Sequence, residues 1–216
     1  FTQLDVELSF TDETAVMAMM EEMVRGLFRS VLSVDLPDPF PRITYAEAMQ
    51  RFGSDRPDLR MGMELIEVSD LVGDSEFKVF AKPATSDDCR VAALCVPGGS
   101  ALTRQQLDAY TEFAKDSGAA GLAYIKVNEM NIGREGLQSP IVKFLSDAAL
   151  SGILSRTEAT AGDLIFFGAD HTTVVNDALG ALRVRIGHDL DLLQNEWHPL
   201  WVSDFPLVAR DNDTGA

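Results

Sequence analysis

Residues 91–99 read Val-Ala-Ala-Leu-Cys-Val-Pro-Gly-Gly, an apolar run that ends in a proline and two glycines. A short apolar run bounded by turn residues predicts a buried β-strand over Val91–Val96. The strand is followed by Thr103 with Gln106 three residues later, a pair that can cap the start of a helix. The segment Pro97–Gly99 lacks the spacing of phosphate-binding glycine loops, so we interpret it as a turn.

The same alternation of strands and helices continues on both sides of this stretch. Further strands are expected at Phe77–Phe80, Leu122–Val127 and Asp163–Phe167. Helices are expected to begin at Thr103, at Ser139–Pro140 and at Asp170. Strands that are separated by helices indicate a layered α+β domain.

The first residues show strict alternation between apolar and polar side chains. Leu4, Val6, Leu8 and Phe10 fall on one side of an extended chain, and Gln3, Asp5, Glu7 and Ser9 fall on the other. The pattern from Gln3 to Phe10 predicts a half-buried strand. Its polar side has two interpretations: a solvent-facing edge, or the floor of a site that binds an ammonium group.

Two helices are predicted after this strand. Thr11 or Asp12 caps a long one, whose apolar residues recur at helical spacing and are expected to face the core: Val16, Met19, Met20, Met23, Val24, Leu27, Phe28 and Val31. Three prolines then enforce an extended stretch. Thr44 with Glu47 opens a short helix over Tyr45–Phe52, and Gly53 suits its C-terminal position.

The sequence pattern changes near Leu71–Glu76, and we predict a domain boundary there. The apolar run Leu200–Leu207 reads as a strand that returns to the first domain. We therefore predict three segments: residues 1–75 and 190–216 belong to one domain, and residues 76–189 form a domain inserted into it. Because Phe1 leads straight into a strand pattern and a polar run follows Arg210, both ends are expected to be cuts.

Composition narrows the function classes. Asp and Glu number 34 against 18 Lys and Arg, and the net charge of −16 disfavours free binding to nucleic acid. Cys89 and Cys95 are interpreted as reduced strand thiols, and the three histidines lack metal-ligand spacing. No secretory leader or membrane-length apolar run is seen, so a cytoplasmic protein is expected.

Several strings, taken in order, resemble bacterial-type aspartyl-tRNA synthetases of class II. The resemblance begins with Phe1–Glu7, which is similar to the returning strand of motif 2, and covers nearly the whole chain. The other matching strings are Val34–Leu36, Pro41–Ala48, Phe52–Arg60, Val96–Gly99, Gly121–Val127, Phe166–Asp170, Ala178–Arg183 and Leu200–Leu207. The central module resembles the GAD domain, and Cys95 stands where that family often has an arginine, which leaves any contact of the module with tRNA open.

The resemblance implies a piece of an aspartate–tRNA ligase: part of an antiparallel class II catalytic domain with an inserted α+β GAD domain. Asp5 would pair with the α-ammonium of L-aspartate, and Gln3 would support the same pocket by a hydrogen bond. The motif 2 arginine and the motif 3 segment would lie outside these residues, so no catalytic residue, no metal ligand and no ATP-binding residue is assigned here. The full-length enzyme would use ATP and magnesium, bind aspartate tRNA and form a homodimer.

A second reading remains open, because the GAD domain also occurs in B-type subunits of tRNA-dependent amidotransferases. In that case the chain would be a binding or scaffolding module. The flanking strings at Phe1–Glu7 and Trp201–Leu207 favour the synthetase.

Overall fold

The computed structural model describes residues 1–208. Its helices are α1 (Glu13–Leu32), α2 (Tyr45–Phe52), α3 (Ser69–Val72), α4 (Lys78–Ala84), α5 (Arg104–Asp116), α6 (Asp147–Arg156) and α7 (Thr172–Asp189). Its strands are β1 (Arg42–Thr44), β2 (Leu65–Glu67), β3 (Cys89–Val96), β4 (Ala123–Val127), β5 (Leu137–Gln138), β6 (Leu164–His171) and β7 (Trp201–Ser203).

The centre of the molecule is an antiparallel five-stranded sheet in the order β2-β3-β6-β4-β5. β3 and β6 pair along their whole length, from Cys89 opposite His171 to Val96 opposite Leu164. Each is buried because both faces of the sheet are covered. The mixed α+β class predicted from the sequence is confirmed.

Helices cover the two faces of this sheet and create two cores. On one face, α5 and α7 pack over Leu94, Leu164 and Phe166. On the other face, α3, α4 and α6 pack near Val91 and Phe167. Side chains point alternately to opposite faces of a strand, so successive residues of β3 and β6 contribute to different cores.

A second, two-stranded sheet joins the flanks of the module. β1 and β7 pair in parallel, with Arg42 opposite Trp201 and Thr44 opposite Ser203. The Trp201 N–H donates to the Pro41 carbonyl at 2.9 Å. The return of the chain predicted from Leu200–Leu207 is therefore present, in a strand of three residues.

The short helix α2 has the predicted bounds and end residues. The Thr44 hydroxyl accepts from the Glu47 N–H at 3.1 Å, and Gly53 ends the helix in the left-handed region with φ +66°. Helix α5 carries the predicted cap, with Thr103 and Gln106 bonding each other's backbone N–H. Local capping chemistry fixed both helices as expected.

The strand predicted over Gln3–Phe10 is wrong in this structure. Residues 1–8 have no regular structure, and the side chains of the segment are exposed, including Leu4 at 69% and Phe10 at 108%. A strand needs a neighbouring strand to satisfy its backbone groups, and none of the described strands pairs with this segment. Alternation alone therefore did not produce a strand.

Two predictions inside the module are also wrong. Phe77–Phe80 leads into helix α4, because Phe77 and Phe80 lie three residues apart on one helical side and pack against each other at 4.8 Å between ring centroids. Ser139 does not start a helix, since its hydroxyl accepts from the Ile141 N–H in a tight turn. The helix begins at Asp147 instead, with Ser146 as its cap, and α7 begins two residues after Asp170.

Helix α1 forms as predicted, but its apolar side is not core. Asp12 caps it by accepting from the Ala15 N–H at 2.9 Å. Only Met17 and Glu21 are buried, while Met23, Leu27 and Val31 are 40%, 57% and 68% exposed. The spacing predicted the helix correctly, and the described residues supply little for that side to pack against.

The proposed division at residues 75 and 189 stays a prediction. Strand β2, at Leu65–Glu67, already pairs with β3 in the central sheet. Helix α2 contacts both α7 and the β1–β7 pair. These contacts extend the packing of the module to residues that precede the predicted boundary.

Candidate functional site

Gln3 and Asp5, the residues predicted to hold aspartate, lie in the exposed segment before α1. Neither side chain takes part in a hydrogen bond or ion pair within residues 1–208, and neither lines a cleft described below. The structure therefore does not bring these two residues together with other polar groups. Their role in binding aspartate stays a prediction.

A polar cleft lies beside the β1–β7 pair. Its volume is about 640 Å³, and α1, the proline-rich stretch and the start of β1 supply its walls. The charged residues that line it are Glu21, Glu22, Arg25, Arg29, Asp38 and Arg42. Three guanidinium and three carboxylate groups line this cleft, and four of these six groups bond to other groups of the protein.

Glu21 is the organising residue of this cleft. Its side chain is 5% exposed and accepts from the Trp201 indole N–H at 2.7 Å and from the Phe40 N–H at 3.3 Å. A buried carboxylate needs such donors, and these two come from different segments. Glu21 thereby ties α1 to β7 and to the residue before Pro41.

Two of the three arginines of the cleft are held by nearby carboxylates. Arg25 forms an ion pair with Asp38, and its buried Nε has no hydrogen-bond partner within the described residues. Arg29 pairs with Asp35 at 2.7 Å. Sequence reasoning missed Glu21, although its position four residues after Met17, on the same side of the helix, was a usable signal.

Two buried arginines lock the module to the residues that precede it. Arg183 is 1% exposed and donates to the backbone carbonyls of Met63, Asp58 and Met61. Desolvation lowers the pKa of its guanidinium. The bond to the Asp58 carbonyl holds the charged loop 54–60 against α7, where most of the loop is at least partly buried.

Arg90 makes a similar connection on strand β3. It donates to Glu67 at 2.9 Å, to Asn176 at 2.8 Å and to the Gln50 carbonyl at 3.1 Å. β2, α2 and α7 therefore meet at one guanidinium. Both arginines act as structural links, because their hydrogen-bond partners are groups of the protein itself.

The Pro97–Gly99 segment is a turn, as predicted. Gly98 has φ +68°, and its N–H donates to Asp163 Oδ1 at 3.0 Å. The other carboxylate oxygen of Asp163 accepts from the Thr160 N–H at 2.8 Å. The Asp163 carboxylate thus occupies the Gly98 N–H, which a bound phosphate would need as a hydrogen-bond donor.

The two cysteines are free thiols on β3, as predicted. Burial, with the nearby Asp163 charge, raises the pKa of the Cys95 thiol to about 12. Burial also raises the pKa of Tyr110 to about 12, helped by the Asp189 carboxylate that its hydroxyl contacts. Both groups are protonated at neutral pH and are poor nucleophiles.

Two further cavities lie on the module. A groove of about 1170 Å³ runs between α6 and the 130–137 segment, where Arg134 bridges to Asp147 at 2.7 Å. An apolar pocket of about 390 Å³ lies between α4, the 119–123 segment, the end of β6 and α7. Residues 1–208 contain no group of three or more metal-ligating side chains. In the same part of the chain, no helix combines the length and apolarity needed to cross a membrane.

Comparison with known protein families matches residues 80–179 to the model described as GAD domain. The matched residues run from α4, through β3 and β6, into α7. They include four of the five strands of the central sheet and most residues of both cores. The chain therefore contains a GAD domain, and its matched residues supply β3, β4, β5 and β6 with helices α5 and α6.

Proposed function

We propose that the chain is part of an aspartate–tRNA ligase, an aminoacyl-tRNA synthetase of class II. The GAD domain occurs in synthetases of this kind and in related amidotransferase subunits, so the match alone supports both. One observation favours the synthetase: the segments before and after the domain pair with each other as β1 and β7. Both segments carry strings that resemble the catalytic domain.

In this proposal the full-length enzyme joins L-aspartate to ATP, forms aspartyl-adenylate and transfers the aspartyl group to the 3′ end of aspartate tRNA. Asp5 supplies the counter-charge for the α-ammonium of aspartate, and Gln3 supports it by a hydrogen bond. The polar cleft around Glu21 lies next to the strand that would border this pocket. A homodimer and a cytoplasmic location belong to the same proposal.

Magnesium accompanies ATP in this reaction. Residues 1–208 contain no group of three or more histidine, cysteine, aspartate or glutamate side chains that could hold a metal ion, and the resemblance places the ATP-binding segment outside these residues. No step assigned to this chain passes through the ion. The part assigned to these residues is to bind and orient the amino acid.

The test is aspartate-dependent exchange of pyrophosphate into ATP by the full-length enzyme with Asp5→Ala. We expect kcat/KM for aspartate to fall at least about a hundredfold, because a bound ammonium that loses its counter-charge is destabilised by roughly 3 kcal/mol or more. Asp5→Asn should recover little, since the amide carries no charge.

Glu13→Ala is the control, because Glu13 is another exposed carboxylate at the start of α1. Its kinetic constants should match those of the unchanged enzyme. If Asp5→Ala leaves KM for aspartate unaltered, the assigned pocket is wrong. If the full-length protein shows no exchange with aspartate but supports amidation of a mischarged tRNA, the amidotransferase reading replaces the synthetase.

A further inference from the structure

Strand β6 is longer than its neighbour β4. β6 pairs with β3 as far as His171, opposite Cys89, whereas its pairing with β4 ends at Phe167, opposite Ala123. The last four residues of β6, Gly168–His171, therefore have a strand on one side only. An unpaired strand edge is a template for another extended chain.

The backbone of Ala169 faces this open side. Val91, which lies opposite Ala169 on β3, turns its own N–H to the Ser69 hydroxyl at 2.8 Å and its carbonyl to the Val68 N–H at 2.9 Å. Hydrogen bonding alternates along an antiparallel ladder, so the N–H and carbonyl of Ala169 also point away from β3. No hydrogen bond to either group is found among residues 1–208.

The apolar pocket of about 390 Å³ lies directly beside this edge. Its walls are Phe77, Phe80 and Val174 together with the small residues of the 119–123 segment, and Asp170 is its charged residue. Cross-strand partners share one face of a sheet. A residue paired with Ala169 would therefore send its side chain toward Phe80, as Ile125 opposite Ile165 does within the same core.

We propose that this open edge accepts an extended segment of a partner protein by β-strand addition. The segment pairs with Ala169 and places one apolar side chain in the pocket, which gives main-chain affinity and side-chain selectivity together. Because the chain carries a net charge of −16 and Asp170 borders the pocket, basic residues in the segment favour association. The surface belongs to the GAD domain, and it does not depend on the proposed synthetase activity.

The test uses the ¹⁵N-labelled chain and a capped heptapeptide that reads lysine, threonine, valine, leucine, valine, threonine, lysine. We expect saturable shifts of the amide signals of Gly168–His171 and Ala119–Leu122. Hydrogen exchange at the Ala169 amide should be faster than at Gly168 in the free protein and should slow when the peptide is added. A peptide with aspartate at its centre should bind at least about tenfold more weakly than the heptapeptide with leucine there.

Gly121→Phe supplies the matched variant. Gly121 lines the pocket, and a Cβ there meets nothing within 4 Å, so a larger side chain has room at this position. Peptide binding should drop by about tenfold. Gly62→Phe is the control, since Gly62 has equally open surroundings away from the pocket. Shifts that are absent at millimolar peptide, or unaffected by Gly121→Phe, would overturn the proposal. Equal binding of N-acetyl-leucine amide would also overturn it, by showing a small-molecule pocket.

Discussion

Gly53 and Gly180 bring α2 and α7 closer together than side chains permit. A Cβ on Gly53 would lie 2.2 Å from the Asn176 carbonyl oxygen, and one on Gly180 would lie 2.9 Å from the carbonyl oxygens of Phe52 and Gly53. The contacting atoms belong to the backbone, so they have no room to move aside. The approach is what lets Arg183 reach the carbonyls of the 58–63 segment.

Gly53→Ala should therefore lower the free energy of unfolding by about 3 kcal/mol, from left-handed strain and steric overlap together. Urea unfolding followed by circular dichroism measures the change. Gly26→Ala is the control: Gly26 lies inside α1 with nothing within 4 Å, and alanine there should stabilise by about 0.5–1 kcal/mol. Equal effects of the two substitutions would contradict the close approach.

Cys95 should react slowly with alkylating agents in the folded protein. Since burial raises the pKa of its thiol from 9.0 to about 12, the reactive thiolate at pH 8 is reduced roughly a thousandfold. We expect mass spectrometry of the Cys89→Ala variant, treated with iodoacetamide, to show much slower modification when folded than in urea. Similar rates in both states would show that the thiol is not desolvated.

At the scale of elements, most of the secondary structure could be predicted from local chemistry. A few neighbouring residues were enough to predict several elements. These are the helix ends at Thr44, Thr103 and Gly53 and the strand at Val91–Val96. The failures depended on distant partners. Phe77 and Phe80 were assigned to a strand because their packing against Phe144 and Phe167 cannot be seen in the sequence.

The candidate site was harder to predict than the fold. Gln3 and Asp5 were chosen from alternation and resemblance, and the described strands include no partner for their segment. Glu21 was overlooked because it sits in an apolar stripe, and its donors lie 19 and 180 residues away. Contacts between residues so far apart in the chain produce no periodic pattern in the sequence.

The junction between α2 and β2 should make stability depend on pH. Hydrogen bonds from Arg51, at 2.8 and 2.6 Å, hold the pKa of Glu64 below its usual value of 4.5. A carboxylate with a lowered pKa stabilises the fold above its ordinary pKa, and this stabilisation is lost as the pH falls through the lowered value.

Glu64→Gln should accordingly cost about 1 kcal/mol at pH 7, a modest figure because both side chains are about one-third exposed. The difference from the unchanged protein should shrink below about pH 4. Thermal unfolding across a pH series measures it. Glu112→Gln is the control, because its pair with Lys115 is more exposed, and it should change the free energy of unfolding at pH 7 by less than Glu64→Gln does.

At the scale of the whole molecule, the interactions of the described residues hold the fold together, and no catalytic residue is assigned among them. Arg90 and Arg183 tie the GAD domain to α2 and to the loop before β2, so we expect residues 42–203 to unfold as one cooperative unit. The proposed activity, in contrast, needs motif 2 and motif 3 arginines that the resemblance places outside these residues.

We therefore predict that the 216 residues alone show no aspartate-dependent exchange of pyrophosphate into ATP. The assay should be run beside the full-length enzyme under the same conditions, with equal molar amounts. Measurable exchange by the chain alone would show that the essential groups lie within it. Circular dichroism of the same sample would confirm that the chain is folded.

The parallel pairing of β1 with β7 has a consequence for how such a gene can change. Thr44 and Trp201 lie on adjacent strands and are offset by two residues in the register, so roughly 8 Å separates them. The long segment between these two residues therefore begins and ends at neighbouring points. Because the two strands are parallel, a crossover connection of about a dozen residues would bridge that gap. The segment between β1 and β7 can therefore lengthen or shorten during evolution while the pairing of the two strands is kept.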